Sequence, residues 1–395
     1  MPKDSLIPSI PEPEPLAKRY SEELTQFIVD EIRRNNDWIG FNRFMEFALY
    51  TPGLGYYAGG SQKFGSAGDF VTSPEISPIF GQALAIQVAQ IFELSSPDII
   101  EVGAGSGRLA ADLLLKLENL GCLPESYKIL DLSGELRQRQ EAALRQYCPH
   151  LLPLVSWLNT LPENFNGLVF GNEVIDAIPT HLVSWNGCQK SLFIAERGVA
   201  EQEGRFIWQD RPATGKLLQK AQILAEDYFL SDYLSEINLI AADWISAWGS
   251  IVKEGVMLLI DYGFPQREYY HPQRYTGTLM CHYRHHAHSD PFFLPGLQDI
   301  TSHVDFTSIA EAGHEAGFNI LGYTTQGAFL QNCGIAKLLE QALGSDRVIY
   351  LKQAQAVYKL ISPTDMGELF KVIALGKNIH QELLGFSQGD RSLTL

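Results

Sequence analysis

The chain has no apolar run approaching the roughly 20 residues that a membrane-crossing helix needs, so membrane insertion is not expected. It is also short of positive charge: 30 Lys and Arg face 46 Asp and Glu, a formal net charge of −16. Binding bare nucleic acid draws on a basic surface that displaces counterions from phosphates. No nucleic-acid partner is therefore expected, whereas an acidic surface suits a cationic one. Cysteine is scarce. The five present (Cys122, Cys148, Cys188, Cys281 and Cys333) are odd in number and never spaced C-x-x-C. That argues against a disulfide framework or a zinc knuckle, and for reduced thiols in a cytoplasmic compartment. The first 20 residues hold five prolines and lack the apolar centre of a secretion signal, so they read as a flexible tail.

Against these absences stand 395 residues, 45% of them apolar and 19% charged, enough for a large buried core. Residues 21–49 follow a helical period, and the Gly- and Ser-rich stretch to residue 68 reads as a loop. Ser77-Pro78 opens another helix, with serine as cap and proline in the first turn. Strands are then expected at 98–102, 127–132, 154–157, 167–171 and 256–261, with helices at 108–120 and 134–147 between the early ones. Such alternation predicts right-handed crossovers and a parallel α/β sheet with helices on both faces. Residues 181–209 break the pattern and resemble an antiparallel meander. Helices are expected near 214–229, 237–252 and 306–316, and late strands near 318–325 and 369–376. Residues 262–305 form a long polar and aromatic stretch, of a length that is usually functional or partly structured. The expected organisation is a tail over 1–20, a helical extension and lid loop over 21–78, and a core over 79–395. Insertions into that core fall at about 181–250 and 262–305. No feature of the sequence sets an oligomeric state.

One strand ends in Glu101-Val102 and runs through Gly103-Ala104-Gly105-Ser106-Gly107 into a helix. Glycines there let the chain turn sharply and bring its backbone against a ligand at the carboxyl ends of the strands. A plain tight turn is one alternative. A dinucleotide fold is another, but its G-x-G-x-x-G spacing would need glycine at Arg108. The Gly-x-Gly-x-Gly spacing is that of S-adenosylmethionine enzymes. Asp131 closes the next strand, where a carboxylate can accept both ribose hydroxyls or cap the helix that follows. Trp157 can flank the adenine or lie in the core.

Further segments carry a family resemblance. They are Gly55-Tyr56-Tyr57, residues 68–77 (Gly-Asp-Phe-Val-Thr-Ser-Pro-Glu-Ile-Ser), the glycine loop, Leu136-Arg137-x-x-Gln140, Gly171-Asn172-Glu173-x-x-Asp176-Ala177-x-Pro179, Asp261-Tyr262-Gly263, and residues 299–306 (Asp-Ile-Thr-Ser-His-Val-Asp-Phe). In this order, over roughly residues 20–380, the chain resembles the MidA family of S-adenosylmethionine-dependent methyltransferases. The resemblance implies a Rossmann-like methyltransferase sheet with helices on both faces, an N-terminal helical extension and an inserted meander or cap. It implies S-adenosylmethionine as cofactor. The family's mitochondrial members are protein arginine methyltransferases and complex I assembly factors, so it also implies a protein substrate, with a respiratory complex I-like subunit as one partner. Two departures stand out. Asp131 lies where relatives commonly carry Glu, and residues 281–295 follow the family pattern only loosely.

The expected cofactor residues are Thr72, Ser73, Glu101, Gly103, Ala104, Gly105, Gly107, Asp131, Leu132 and Asn172. The expected catalytic residues are Asn172, Glu173 and Asp176, just after the fourth strand. An arginine guanidinium carries charge and no available lone pair, so carboxylates are needed to orient it and a group must accept a proton. One of these carboxylates can instead cap the following helix. Glu75, Asp261, His303 and Asp305 are expected to line the substrate side, although His303 can equally bond within the fold. His282, His285, His286 and His288 would share a face only on a helix, and solvated loop histidines are expected there without a metal. Two further function classes stand beside the enzyme reading: a cofactor-binding assembly factor without transfer, and a small-molecule methyltransferase.

Overall fold

The computed structural model describes residues 11–59, 72–131, 133–187, 191–341 and 347–395. The chain divides into two compact units: Met1–Val71, Pro179–Ile237 and Tyr275–Ser302 in one, and Thr72–Ile178, Asn238–Arg274 and His303–Leu395 in the other.

The second unit is built on a sheet with strands β1 (Asp98–Val102), β2 (Ser126–Leu130), β3 (Val155–Leu158), β4 (Phe165–Asn172), β5 (Val252–Phe264), β6 (Asn319–Thr325) and β7 (Phe370–Lys377). Their order across the sheet is β3-β2-β1-β4-β5-β7-β6. Strands β1 to β5 pair in parallel, and β7 inserts antiparallel between β5 and β6. A two-residue strand, Val304–Asp305, pairs with the end of β5. The principal helices are α1 (Pro78–Phe92), α2 (Arg108–Leu120), α3 (Gly134–Tyr147), α4 (Leu239–Ile251) and α5 (Phe306–Glu315).

Both faces of this sheet are covered, and the period of two along each strand shows how. Val256, Leu258 and Ile260 of β5 join the cluster containing Phe80, Leu84, Val88, Leu113 and Leu117 of α1 and α2. Met257 and Leu259 join the opposite cluster with Ile245 and Trp248 of α4 and Phe306 and Ile309 of α5. A strand buried on both faces must be apolar at every position rather than at alternate ones, which explains the unbroken run from Val256 to Ile260. Serine side chains cap two of the helices, Ser77 as the sequence predicts. Ser77 Oγ accepts from Ile79 N–H (3.2 Å) and Ser133 Oγ accepts from Leu136 N–H (3.2 Å).

The order of the strands creates one special place. From β1 the chain moves outward to β2 and β3, then returns to β4 on the other side of β1. The connection after β1 runs through α2 on one face and the one leading into β5 runs through α4 on the other, which opens a crevice beyond the carboxyl ends of β1 and β4.

In the first unit, Ile39–Gly40, Phe193–Gln202, His181–Asn186 and Tyr233–Ile237 form an antiparallel sheet, with Arg205–Pro212 also paired to Phe193–Gln202. A core of Leu24, Ile28, Ile32, Phe41, Phe44, Tyr56, Leu182 and Val199 supports it. Strand Tyr233–Ile237 is absent from the sequence expectation: five residues between two helices give too short an alternation to read. The first helix begins at Pro15 instead of residue 21, because proline presets the backbone angle of a first helical turn. The long stretch 262–305 is partly ordered by a small sheet of Met280–Tyr283, His286–His288 and Asp299–Thr301. His282, His286 and His288 lie on its strands, while Arg284 and His285 make the turn with φ of 45° and 64°. These histidines thus belong to a hairpin rather than a helix. Among the described residues, no cluster of His, Cys, Asp and Glu is placed to hold a metal. Nor is any described helix long and apolar enough to cross a membrane.

Candidate active site

All the sequence-predicted site residues that the structure describes lie in the second unit, at the ends of β1, β2, β4 and β5, on segment 72–75 ahead of α1 and at 303–305 ahead of α5; Leu132 falls outside the described residues. The crevice between β1 and β4 brings the two principal motifs side by side. Val102 pairs with Gly171, so Gly103 and Asn172 are the next residues of adjacent parallel strands.

The glycine loop is held in a left-handed conformation at three points: φ is 64° at Gly103, 55° at Gly105 and 80° at Gly107. Only glycine adopts these angles without strain. The three differ in what surrounds them. A Cβ on Gly103 would lie 2.8 Å from Val174 Cγ1, and one on Gly107 would lie 2.8 Å from Gln140 Cα. At Gly105 no heavy atom of the described residues lies within 4 Å of that position. Gly103 and Gly107 are glycine for packing, and Gly105 turns bare backbone toward open space. That is the fit expected of a loop cradling a bulky cofactor.

Glu101, one residue before the turn, is buried, and its Oε2 accepts the Tyr127 hydroxyl at 2.7 Å. Burial pushes its carboxyl up to about 8, opposed by the tyrosine bond and reinforced by the charge of Asp131. Ala104 is buried beside it. Asp131, at the end of β2, accepts Ser133 N–H on Oδ1 (3.0 Å) and Gln140 Nε2 on Oδ2 (2.8 Å). It therefore takes part in the entry to α3, and Gln140 links it to Gly105 of the glycine loop. Trp157 donates its indole N–H to Gln140 Oε1 at 2.9 Å.

Segment 72–77 reaches both motifs. Thr72 precedes the short helix Ser73–Ile76 without a side-chain cap bond. Ser73 N–H donates to Glu173 Oε1 (3.3 Å), and its hydroxyl donates to Gln326 Oε1 (3.1 Å). Glu75 accepts the hydroxyl of Ser106 in the glycine loop. One short segment is thus bonded to the cofactor loop by one residue and to the β4 motif by another.

The turn after β4 concentrates negative charge. Asn172 donates its amide to Glu173 Oε1 (3.0 Å), while its own Oδ1 is buried with no hydrogen-bond partner among the described residues. Glu173 sits at φ 53°, a strained angle for a residue with a long side chain, and its N–H donates to Ile260 C=O at 2.8 Å. Burial, then the charge of Asp176, raises its carboxyl to about 8. Asp176 and Asp261 are buried; burial raises both carboxyls, and the charge of Asp176 raises Asp261 further. The Tyr262 hydroxyl bonds Asp176, whose Oδ1 has no hydrogen-bond partner among the described residues.

Asp261 and Asp305 are held by the fold. Asp261 Oδ2 accepts Ile175 N–H (2.9 Å) and Asp176 N–H (3.2 Å), and Oδ1 accepts Tyr262 N–H (2.9 Å), so this carboxylate shapes the Asn172–Asp176 turn from beneath. Asp305 caps α5 through Ser308 N–H (3.2 Å) and accepts Gln266 Nε2 (2.8 Å). His303 packs against aromatic rings. Its ring lies 5.2 Å from that of Tyr262 and 5.3 Å from that of Phe264. Burial, with Arg274 and Lys371 nearby, lowers its imidazole to about 4, so it is neutral near pH 7.

The sequence assigns no role to Gln140, Tyr127 or Tyr262, although Gln140 and Tyr262 fall within the motifs that carry the resemblance. A polar residue kept inside a helical apolar stripe is the signal that marks Gln140.

Comparison with known proteins agrees with this site. A family model of S-adenosyl-L-methionine-dependent methyltransferases matches residues 83–324. The mitochondrial protein arginine methyltransferase NDUFAF7 of Mus musculus is 30% identical over 87% of this chain and 82% of its own length. That of Danio rerio is 29% identical over 85% and 83%. A Burkholderia thailandensis protein crystallised with S-adenosyl-homocysteine superposes with a TM-score of 0.93 at 47% identity, covering 98% of this chain and all of the other. The cofactor is therefore S-adenosylmethionine. The chain belongs to the MidA-like family of S-adenosyl-L-methionine-dependent methyltransferases.

Proposed function

We propose that this methyltransferase modifies a guanidinium nitrogen of an arginine in a protein substrate. One observation carries the proposal: the Asn172–Asp176 turn offers a buried, unpartnered amide oxygen and two crowded carboxylates, one residue beyond the strand pairing that places it beside the cofactor loop. A guanidinium has five N–H donors and no acceptor, and carboxylates bind it through paired bonds. Asn172 Oδ1 is an acceptor in want of such a donor. A cation would also offset the burial that raises both carboxyls and the Asp176 charge that raises Glu173 further. The resemblance to protein arginine methyltransferases at about 30% identity points the same way.

When bound, S-adenosylmethionine supplies an electrophilic methyl group on a sulfonium. Thr72, Ser73, the Glu101–Gly107 loop, Asp131 and Asn172 are the residues proposed to hold it. Asn172 and Asp176 orient the target nitrogen, and Glu173 takes the proton that nitrogen releases as it gains a carbon. A carboxyl raised to about 8 suits that role, since a general base acts best near the working pH. Glu75 ties segment 72–77 to the cofactor loop, and Ser73 ties it to the acceptor side. Asp261, with Tyr262, keeps the turn in shape, and Asp305 and His303 form its outer support.

The test is to incubate the protein and radiolabelled cofactor with lysate from a strain lacking it. A labelled protein band that yields methylarginine on hydrolysis supports the proposal. Label confined to small molecules, or cofactor bound without any transfer, overturns it. A subunit of a complex I-like assembly is the first protein acceptor to try.

A further inference from the structure

We infer that Gln140 is a positioning residue for the cofactor, holding the glycine loop, the ribose acid and the β3 tryptophan in register with one another. Its amide nitrogen donates to Gly105 C=O (3.2 Å) and to Asp131 Oδ2 (2.8 Å), and its amide oxygen accepts Trp157 Nε1 (2.9 Å). The side chain is fully buried on the inner face of α3. Both amide hydrogens and the carbonyl are thus engaged, each with a different segment of the crevice. No other natural side chain of this length offers two donors and an acceptor at one end.

The consequence is geometric. Gly105 is the glycine whose Cβ position faces open space, so the orientation of its peptide sets the shape of the cradle. Asp131 can accept ribose hydroxyls only if its carboxylate plane is fixed, and Gln140 with Ser133 N–H fixes one oxygen each. Bonding the Trp157 N–H sets the tilt of the indole plane. A Cβ at Gly107 would lie 2.8 Å from Gln140 Cα, so loop and helix approach backbone to backbone at this point. Supporting hydrogen bonds of this kind at metal sites are worth roughly 10–100-fold in ligand affinity, and the same scale is expected here.

The inference rests on Asp131 as the ribose acid, and the experiment separates the two. Binding of S-adenosylhomocysteine and of its 2′-deoxy analogue is measured by calorimetry in the wild type, Gln140→Met, Gln140→Glu and Asp131→Asn. Thermal melting establishes that each variant is folded. Gln140→Glu keeps the acceptor for Trp157 and loses the donors, so it remains informative if the methionine variant does not fold. Expected are a 10–100-fold loss of S-adenosylhomocysteine affinity in both Gln140 variants and a smaller penalty for removing the 2′-hydroxyl than in the wild type. In turnover, KM for the cofactor rises with kcat at saturation nearly unchanged. Affinity within twofold of wild type in a folded Gln140 variant, or an undiminished 2′-deoxy penalty, overturns the inference. If Asp131→Asn itself binds normally and shows the full 2′-deoxy penalty, it is the ribose assignment that fails.

Discussion

The two sides of the crevice solve opposite problems. On the β1–β2 side nearly every polar group is matched: Glu101 with Tyr127, Asp131 with Ser133 and Gln140, Gln140 with Trp157. On the β4–β5 side, Asn172 Oδ1 and Asp176 Oδ1 are buried with no hydrogen-bond partner among the described residues, three carboxyls crowd together, and Glu173 is held at a strained φ. Buried unmatched acceptors normally destabilise a fold, so their concentration in one turn needs a reason. Under the proposed function, the side assigned to the cofactor is preformed, and the side assigned to a cationic substrate leaves acceptors for that cation to fill.

The largest expected effect tests the preformed side. Gly105→Val adds a branched side chain at φ 55° and fills the open space. Cofactor binding should fall by more than roughly 100-fold by calorimetry, since 2–3 kcal/mol of strain and lost contact is already about that factor. Wild-type affinity would remove the loop from the site. Next comes Asp261→Ala, which strips three backbone N–H groups of their acceptor. A loss of about 1–3 kcal/mol per stranded buried donor is the usual scale, so denaturant unfolding should show several kcal/mol. Transfer by any remaining folded protein should collapse with the turn.

The pH dependence distinguishes the two sides more finely. With Glu173 raised from 4.5 to about 8 and required as its anion, kcat/KM should climb with pH and level off above about 8. Because Asp176 contributes to that rise, Asp176→Asn should move the limb to lower pH. Stability runs in the other direction. Between 4.5 and about 8 the folded protein holds a proton that the unfolded chain has released. This contribution is complete below 4.5 and is lost as pH climbs through 8. A limb that ignores Asp176→Asn would break the link between charge crowding and catalysis. The smallest effect belongs to the outer support: Asp305→Ala removes the α5 cap, about 1 kcal/mol by denaturant unfolding, with cofactor affinity unchanged.

The contrast also explains what was legible in the sequence. The sheet could be read because a doubly covered strand such as 256–260 has no polar residue to hide it, and because glycines at 103, 105 and 107 are forced by positive φ. Asn172, Glu173 and Asp176 were visible as a polar motif directly after an apolar strand. What escaped depends on partners distant in the chain. Gln140 acquires its place only when α3 docks against residues 35 positions earlier and 17 positions later. Asp261 and Asp305 read as residues lining the substrate side, yet backbone donors and a helix end claim them, which only the folded chain can show. Strand Tyr233–Ile237 is defined by its pairing with His181–Asn186, more than 40 residues away, rather than by its own pattern.

The central claim is that Glu173 serves transfer and not cofactor binding, and the Glu173→Gln variant tests it most directly. Cofactor affinity and methyl transfer to the labelled protein acceptor are measured on the same preparation. The account predicts affinity within a few-fold of wild type and transfer reduced by roughly 100-fold or more, the scale of losing a general base. Transfer at the normal rate, or cofactor binding lost in step with transfer, would contradict it.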